Sequence, residues 1–365
     1  KDGPLTALCA EYGISRKTGY KWLNRFEAEG RGGMADQSRR PQRHPDQYTE
    51  AMICRIVQLK LAHATWGPVK IQQLCQRSRS GEERVPSLST VKRILARAGL
   101  VRRRRRRKPS QAGCLRYHGP VASPNDLWTV DFKGWWRVGN GQRCEPLTVR
   151  DASSRYILCC RSLPDACGQT VRRAFEKLFC CYGLPRAIRM DNGNPWVHAQ
   201  SPLGLTRLSA WWVTLGIDLD RIDPGRPDQN GAHERMHRDL AAEVEAYGEQ
   251  DLVRQQAALD LWREEFNTQR PHAALNLQFP SELYRRSDRT YDGTAVEMTY
   301  PGLLRRKVTP PGRVSVDGRK IHMTTALIGH HVGLKPVDSH RYVVWFGRLC
   351  LGVLDVSTES YEASG

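Results

Sequence analysis

Three carboxylates stand at positions where folding can bring them together. Asp131 alternates with the apolar residues Trp128 and Val130, so its side chain points to the opposite face of a predicted strand. Asp191 directly follows a short apolar run, which places it at the carboxyl edge of a sheet, where open α/β folds form their active sites. Glu234 is predicted one turn inside a helix. The intervals of 60 and 43 positions mean that only the tertiary fold can unite the three residues.

Such a set of carboxylates suits hard divalent cations. Mg²⁺ prefers carboxylate oxygens, with substrate phosphate usually completing its coordination shell. Two such ions, about 3.5–4 Å apart, can activate an attacking oxygen and stabilise the leaving oxygen of a phosphodiester, so no protein nucleophile is needed. By spacing alone, Asp151, Asp223 and Asp228 are alternative members of the set, and composition does not separate them from the first three.

The segment that must position these acids reads as alternating strands and helices. Strands are predicted at 127–132, 145–149, 155–161, 187–190 and 217–222, and helices at 166–182, 205–215, 229–247 and 251–267. Three strands followed by alternating helix and strand indicate a mixed sheet flanked by helices.

The first 25 residues predict a helix-turn-helix. A short helix ends at Gly13, Ser15 can cap a second helix, and Gly19, Trp22 and Leu23 are expected to face inward. The second helix then presents a polar, cationic face that suits DNA. The residues expected to contact DNA from it are Ser15, Arg16, Lys17, Tyr20 and Lys21. An ordinary helical hairpin fits the apolar pattern equally well but explains the cations less well.

A second helical unit follows, with helices expected at 51–62 and 69–75 and a capped recognition helix within 86–100 that Gly99 closes. Lys92 and Arg93 lie on that last helix, and Arg39 and Arg40 lie in the loop between the two units. These four residues are further candidates for DNA contact, and two units in tandem can hold a duplex over more than one turn.

Positive charge is concentrated in the first third of the chain. The net charge is +19, of which residues 1–108 carry +16 and residues 109–365 only +3. The charge peaks in the continuous run Arg102, Arg103, Arg104, Arg105, Arg106, Arg107 and Lys108. Such a run stays solvated and attracts a polyanion, because a phosphate backbone gains entropy when it releases counterions. The alternative is a solvated linker or a targeting address.

Length and composition limit the remaining possibilities. A chain of 365 residues predicts two to four domains. No apolar run is long enough for a membrane-spanning helix, and no signal peptide is visible, so a soluble cytoplasmic protein is expected. The 11 cysteines, an odd number, include the adjacent pairs Cys159–Cys160 and Cys180–Cys181, which favours reduced thiols over a secreted disulfide framework.

The predicted domain organisation follows from these segments. A hairpin at Asp317–Gly318 and several short strands after residue 313 suit a small β-barrel at the C-terminus. We expect a helix-turn-helix domain at 1–45, a second helical domain at 46–101, a basic linker at 102–124, a catalytic core at 125–285, a linker at 286–312 and the barrel at 313–365.

The combined motifs resemble the DDE transposases of bacterial insertion sequences, whose core is similar to that of retroviral integrases. The resemblance rests on Trp-x-x-Asp-Phe at 128–132, Asp-Asn-Gly at 191–193, Pro-x-x-Asn-Gly-x-x-Glu-Arg-x-His at 227–237 and Phe-Asn-Thr-Gln-Arg-Pro-His at 266–272. It implies a ribonuclease-H-like core in which Asp131, Asp191 and Glu234 bind two Mg²⁺ or Mn²⁺ ions. The interval from Asp191 to Glu234 is longer than is common in the wider superfamily, and the extra residues are expected at 199–207.

The activity expected from this resemblance is metal-dependent cleavage and strand transfer at the terminal inverted repeats of a mobile element. His237 and Arg238, one turn beyond Glu234, are expected to contact the phosphate near the scissile bond, with a solvated helix face as the alternative. Because two ends must be joined in concert, we expect at least a dimer on DNA.

Other functions have less support in the sequence. His44, Cys54, His63 and Cys75 lack the spacing of a zinc site, so no zinc is expected. The sequence has no phosphate-binding loop motif, so no nucleotide cofactor is expected. The clustered cysteines fall in a predicted strand and helix, where they are expected to serve the core. Two alternatives of other classes remain: a DNA-binding regulator on a transposase scaffold, which needs no triad, and a ribonuclease-H-like nuclease that stops after attack by water.

Overall fold

The computed structural model describes residues 4–36, 48–79, 83–101, 119–223, 227–294 and 296–364. The chain divides into two compact units, residues 1–50 and residues 51–365. Arg39, Arg40 and the cationic run at 102–108 lie outside the described residues.

The first unit contains the predicted helix-turn-helix. Helices α1 (Leu5–Glu11) and α2 (Arg16–Glu29) are separated by Gly13, whose φ of +64° is easy for glycine. The Oγ atom of Ser15 accepts a hydrogen bond from the backbone N–H of Thr18 at 3.2 Å and so caps α2 as predicted. The inward position predicted for Leu23 is wrong, because α1 has only seven residues and packs around Gly19, which leaves Leu23 exposed.

The second unit begins with a three-helix region formed by α3 (Glu50–Ala62), α4 (Pro68–Arg77) and α5 (Leu88–Arg97). Ser87 caps α5, and Gly99 follows it at a φ of +70°. One apolar cluster unites the three helices through Met52, Ile56, Ile71, Val91 and Leu95.

A mixed five-stranded sheet forms the centre of the second unit. Its strands are β1 (Leu127–Phe132), β4 (Pro146–Asp151), β5 (Ile157–Ser162), β6 (Ala187–Met190) and β7 (Asp218–Arg221), and a separate hairpin holds β2 (Trp136–Arg137) and β3 (Arg143–Cys144). The order is β5-β4-β1-β6-β7; β4 runs antiparallel to β1 and β5, whereas β6 runs parallel to β1 and β7.

Helices cover both faces of this sheet. Helices α6 (Gly168–Tyr182) and α7 (Arg207–Thr214) pack against one face around Trp128, Phe175 and Trp212. Helices α8 (Gly231–Glu243) and α9 (Leu252–Thr268) form a second apolar cluster that includes Ile157 of β5, and the four-residue α10 (Pro280–Leu283) follows. The single helix predicted at 229–247 is wrong, because α8 ends at Glu243 and a separate 3-10 turn spans Glu245–Tyr247.

The C-terminal part is an antiparallel sheet of the order β14-β13-β12-β11-β8 beside a two-stranded sheet. The strands are β8 (Leu304–Lys307), β9 (Arg313–Val316), β10 (Arg319–His322), β11 (His331–Pro336), β12 (Arg341–Phe346), β13 (Leu349–Asp355) and β14 (Ser360–Ala363). The hairpin predicted at Asp317–Gly318 joins β9 and β10. The barrel is not confirmed: within the described chain the sheet stays open, because its edge strands β8 and β14 pack against that hairpin without a hydrogen-bonded ladder.

Among the described residues, no helix combines the length and the apolar character that crossing a bilayer requires.

Candidate active site

Two parallel strands bring two of the predicted carboxylates side by side. In the β1–β6 pairing, Leu127 lies opposite Ala187 and Thr129 opposite Arg189. Two positions further along the chain, Asp131 is still in β1, whereas Asp191 is the first residue after β6, so both acids lie where their strands end, at the same edge of the sheet. Because parallel strands end at the same edge, this proximity follows directly from the register.

Asp131 is sheltered and electrostatically coupled to the other two acids. Its side chain is 26% exposed, on the face of the sheet opposite to that of the buried Trp128 and Val130. Burial, the negative charge of Asp191 and a smaller contribution from Glu234 raise the pKa of Asp131 to about 7. Carboxylates that repel one another in this way favour a bound cation.

The turn after β6 fixes the orientation of Asp191. The backbone N–H of Gly193 donates to Asp191 Oδ1 at 3.1 Å, and Asn192 Nδ2 donates to the carbonyl oxygen of Ile222 at 2.6 Å. A Cβ atom at position 193 would lie 3.2 Å from Asp191 Oδ2, closer than most such contacts. The glycine therefore leaves room for the carboxylate at the edge of the sheet.

The third acid is delivered by α8, which lies over the same face of the sheet. Glu234 is exposed in the first turn of this helix. The helix start is held down by two arginines of the sheet: Arg150 Nη1 donates to the carbonyl oxygen of Ala232 at 2.8 Å, and Arg189 Nη1 to that of Gln229 at 3.3 Å. Arg189 is itself paired with the buried Asp220 at 2.8 Å.

A threonine hydroxyl organises two histidines of α8 beneath the acids. Thr148 Oγ1 lies 2.9 Å from the carbonyl oxygen of Asp131, 2.7 Å from His233 Nε2 and 2.8 Å from His237 Nε2. A hydroxyl has one proton to donate and two acceptor sites. If that proton goes to the Asp131 carbonyl, both histidines donate from Nε2, and His233 Nδ1 accepts from Thr129 Oγ1 at 2.8 Å.

Both histidines are uncharged in this setting. Burial, followed by the positive charges of Lys133 and Arg150, lowers the pKa of His237 to about 3. Burial also lowers the pKa of His233 well below its usual value. His237 Nδ1 then faces Asp131 Oδ2 at 3.8 Å with a lone pair.

Among the described residues, the three carboxylates do not form a group compact enough to hold one ion, whereas Asp131 and two histidines do. Ligand atoms of Asp131, His233 and His237 lie within 4.8 Å of one another. Both ring nitrogens of His233 are already used by Thr129 and Thr148, which makes it a structural residue. The set of Asp131, Asp191 and Glu234 offers only carboxylate oxygens and fits Mg²⁺ or Mn²⁺.

Two of the alternative carboxylates, Asp151 and Asp223, accept hydrogen bonds from their own surroundings. Asp151 is fully buried and accepts hydrogen bonds from the backbone N–H groups of Asn125 and Ser154, each at 2.7 Å. Asp223 lies after β7, and its Oδ2 accepts from Gln229 Nε2 at 2.7 Å. Asp228 lies in the 3-10 turn Pro227–Asn230.

Most of the described residues that were predicted to contact DNA are exposed on helices. Arg16, Lys17, Tyr20 and Lys21 are exposed on α2, whereas the Ser15 side chain is engaged in capping. Lys92 and Arg93 are exposed on α5, and Arg238 on α8. His237, by contrast, is turned inward with a side chain that is only 12% exposed, so among the two residues beyond Glu234 only Arg238 faces solvent.

The three-helix region packs against the core through a buried arginine that the sequence did not reveal. Arg270 is 1% exposed and pairs with Asp239 at 3.1 Å, with Glu265 at 3.8 Å and, more closely, with Glu243. Its guanidinium also lies 5.3 Å from the ring centre of Trp66, just before α4. At the other end of α4, Arg77 forms a two-pronged ion pair with Glu282 of α10, with N···O distances of 2.6 and 3.0 Å.

Comparison with protein families decides the class of the chain. A homeodomain-like domain matches residues 18–95, and two integrase core domain models match residues 121–227 and 215–280. The chain therefore combines a homeodomain-like region with an integrase core. The expected helix-turn-helix-like N-terminal region and the mixed sheet of the core are confirmed.

Two relatives of this chain are insertion-element proteins. With the domain matches, they show a transposase with an integrase-like core. The resemblance drawn from the motifs is thereby confirmed. The transposase is 27% identical over 252 residues to the insertion element IS407 uncharacterized 31.7 kDa protein of Burkholderia multivorans, which covers 69% of this chain and 87% of the relative. It is also 27% identical over 276 residues to the insertion element IS476 uncharacterized 39.2 kDa protein of Xanthomonas euvesicatoria. This match covers 74% of this chain and 75% of the relative.

Solved structures similar to the transposase include the HTLV-2 integrase catalytic core domain in complex with magnesium, at a TM-score of 0.35 and 13% identity over 45% of this chain and 98% of that one. The catalytic core domain of BIV integrase gives a TM-score of 0.34 and 23% identity, and this match covers 44% of this chain and 93% of that one. The simian T-cell lymphotropic virus intasome in complex with PP2A regulatory subunit B56 gamma gives a TM-score of 0.38 and 12% identity. This match covers 76% of this chain and 92% of that one.

Proposed function

We propose that this transposase binds the terminal inverted repeats of a mobile element and, with two Mg²⁺ or Mn²⁺ ions held by Asp131, Asp191 and Glu234, cleaves at the element ends and joins them to target DNA. One observation carries the proposal: the parallel strands β1 and β6 end at the same edge of the sheet near Asp131 and Asp191, and the charges of Asp191 and Glu234 both raise the pKa of Asp131.

The residues of the site have separate tasks in this proposal. Asp131 and Asp191 hold fixed positions on the rigid edge of the sheet, and the exposed Glu234 reaches the site from the first turn of α8. When bound, the ions would activate the attacking oxygen and stabilise the leaving oxygen of the phosphodiester. His237 lies against the Asp131 carboxylate and is held by the Thr148 hydroxyl, and Arg238 contacts phosphate from the solvent side.

DNA recognition is assigned to the N-terminal parts. We assign Arg16, Lys17, Tyr20 and Lys21 of α2 and Lys92 and Arg93 of α5 to the element ends. Arg39, Arg40 and the cationic run at 102–108 would contact phosphates without reading sequence. The domain limits stated above, at 1–45, 46–101, 102–124, 125–285, 286–312 and 313–365, belong to this proposal.

The active unit is proposed to be at least a dimer on paired ends, because joining two ends in concert requires two active sites. Since α5 belongs to the same compact unit as the core, DNA held by α5 stays with its own core. Recognition of the end that the partner cuts would then fall to α2.

The deciding experiment incubates the full chain with Mg²⁺ and a library of candidate element ends, and sequences the joined products. Asp131→Asn, Asp191→Asn and Glu234→Gln should each abolish cleavage and joining while end binding persists. Asp260→Asn, an exposed change on α9, is the matched control. Normal joining by any of the three variants would remove that residue from the metal site, and nicks without joined products would favour a nuclease.

A second experiment tests action across protomers. Asp191→Asn is mixed with a chain that carries Arg16→Ala and Lys17→Ala, so that each partner lacks one function. Restored joining supports a dimer in which each end is bound by one protomer and cut by the other. Absence of restoration, together with a monomeric mass for the active DNA complex, contradicts it.

A further inference from the structure

A cleft of about 760 Å³ opens between the core and the C-terminal sheets, and its lining includes residues that follow Asp191 closely along the chain. On the core side it is lined by the start of α6, by Asn194 and Pro195, and by the segment 198–208. On the opposite side it is lined by residues 322–326, which follow β10. The segment includes the extra residues that the sequence predicts at 199–207. We call this space the strand cleft.

The lining of the strand cleft suits an anion. No aspartate or glutamate is among its lining residues, whereas Arg172, Arg207, His198 and His322 are. The other polar lining residues are hydroxyl and amide groups that can donate hydrogen bonds: Gln169, Asn194, Gln200, Ser201, Thr206, Thr324 and Thr325. A carboxylate lies close to one of the cations, since Glu176 pairs with Arg172 at 3.0 Å. Arg207 is therefore the principal positive charge.

The two walls are fixed to each other. Ser201 Oγ and Thr324 Oγ1 form a buried hydrogen bond of 2.8 Å, and Arg207 Nε approaches the carbonyl oxygen of Thr325 at 3.4 Å. Leu205 is fully buried in the apolar cluster of the C-terminal sheets. The strand cleft is thus preformed, which reduces the ordering cost of binding.

Its position relates it to the carboxylates. Asn194 lines the cleft only three residues after Asp191, in the turn that orients that acid. A nucleic acid strand with one phosphate at the carboxylates can continue directly into the cleft. The volume lies within the range of about 300–1,000 Å³ typical of ligand pockets, so it admits a short piece of one strand and not a double helix.

We propose that the strand cleft holds the phosphodiester backbone of a single DNA strand leading away from the reacting phosphate. This inference rests on the proposed function, because it assumes that a phosphate occupies the site of Asp191. It also gives the segment 198–208 and the C-terminal sheets a shared task, since each supplies one wall.

Cross-linking in the full chain tests the strand cleft. Benzoylphenylalanine replaces His322, which lines the cleft, or Lys320, an exposed control residue two positions earlier on β10. The probes are a labelled duplex with a single-stranded thymidine tail of about ten nucleotides, within the usual range of single-strand sites, and the same duplex with blunt ends. Position 322, and not position 320, should cross-link to the tail.

Charge variants give an independent measurement. Arg207→Glu should weaken binding of the tailed probe about tenfold through the loss of a charge-assisted hydrogen bond, and Arg207→Lys should retain most of the affinity. Arg173→Glu, an exposed change on α6 outside the lining, is the matched control. Tails placed on a candidate element end or on an unrelated duplex distinguish the element strand from the target strand.

The outcomes separate this inference from the proposed function. Equal cross-linking from positions 320 and 322, or cross-links confined to the duplex, would overturn the strand cleft even if the wild-type chain joins ends. Equal losses for Arg207→Glu and Arg173→Glu would do the same. Tail cross-linking from position 322 in a protein that joins no ends would support the cleft and contradict the transposition chemistry.

Discussion

His237 Nδ1 lies 3.8 Å from Asp131 Oδ2, while its other ring nitrogen is 2.8 Å from Thr148 Oγ1. The low pKa of His237, about 3, keeps the ring neutral, so it carries one proton. When the Thr148 hydroxyl donates to the Asp131 carbonyl, the histidine proton lies on Nε2 in the bond to Thr148, and the Nδ1 lone pair faces the carboxylate. The threonine on β4 therefore determines which face the histidine presents to the acid on β1.

The first prediction concerns this hydroxyl. Thr148→Val keeps a similar shape but leaves the Nε2–H groups of His233 and His237 buried without an acceptor, at a cost of about 1–3 kcal/mol for each group. The free energy of unfolding, measured with urea, should fall accordingly. The joining rate should fall at least about tenfold, since a misplacement of a catalytic group by 1 Å costs more than that.

Thr148→Ser is the matched control, because it retains the hydroxyl and loses only a methyl group. It should join ends at close to the wild-type rate. Wild-type joining by Thr148→Val would show that the two histidines do not depend on this hydroxyl.

Part of this arrangement is readable from the sequence, and part requires the tertiary pairing. Strands β1 and β6 were predicted with the bounds that the structure shows, because continuous apolar runs bounded by polar turns specify buried strands. The opposite orientation of Asp131 relative to Trp128 follows from alternation alone. Thr148 was not predicted, because its place opposite Asp131 depends on the β1–β4 register, which no local pattern encodes.

The structure also differs from expectation where local patterns are weak. Strands β8 and β14 were missed, since their sequences Leu-Arg-Arg-Lys and Ser-Tyr-Glu-Ala are too polar and too short for a strand pattern and pair only at the edge of a sheet. The spacing of His233 and His237, four residues apart on one helix, was an available signal for a shared inward face. Arg270 had no such signal, because a buried arginine is specified only by its partners.

The second prediction is a pH dependence of stability that arises from His272. Burial, followed by the positive charges of Lys70 and Arg270, lowers the pKa of His272 to about 3, and its Nε2 has no hydrogen-bond partner within the described structure. The unfolded chain binds a proton below about pH 6.5, whereas the folded chain does not, so stability falls as the pH decreases from about 6.5 towards 3.

Relative to pH 7.5, the contribution of His272 should cost up to about 2 kcal/mol at pH 5. His272→Gln should reduce the difference in unfolding free energy between the two pH values by that amount, as measured with urea. The exposed His340→Gln is the control. An unchanged pH dependence in His272→Gln would mean that this ring is not held neutral in the fold.

The third prediction compares two arginines at the contact between the three-helix region and the core. Arg270→Ala leaves Glu243 and its neighbours without their buried partner and should lower the free energy of unfolding by about 3–5 kcal/mol. Arg77→Gln removes an ion pair whose partners are partly exposed, Arg77 at 30% and Glu282 at 38%. This change should lower the free energy of unfolding by less than about 1 kcal/mol.

Urea unfolding followed by tryptophan fluorescence checks both values, because Trp66 and Trp262 lie beside Arg270. Arg270→Ala should also separate the unfolding of the three-helix region from that of the core. Arg270→Lys should not restore stability, since an ammonium group cannot reproduce the planar, multiply bonded guanidinium. Equal costs for Arg270→Ala and Arg77→Gln would contradict the assignment of Arg270 as the main contact.

The last prediction tests the helix crossing in the first unit. A Cβ atom on the buried Gly19 of α2 would collide with the Sγ atom of Cys9 on α1. Gly19→Ala should therefore displace α1, destabilise this unit by about 1–3 kcal/mol and reduce binding to element ends.

Cys9→Ala alone removes the sulfur with only a modest loss of packing. Because alanine is a better helix former than glycine by about 1 kcal/mol, the pair Cys9→Ala and Gly19→Ala should bind ends nearly as well as the wild-type chain. A gel-shift titration of the four proteins measures the effect, and a double variant as impaired as Gly19→Ala would show that the lost binding has another cause.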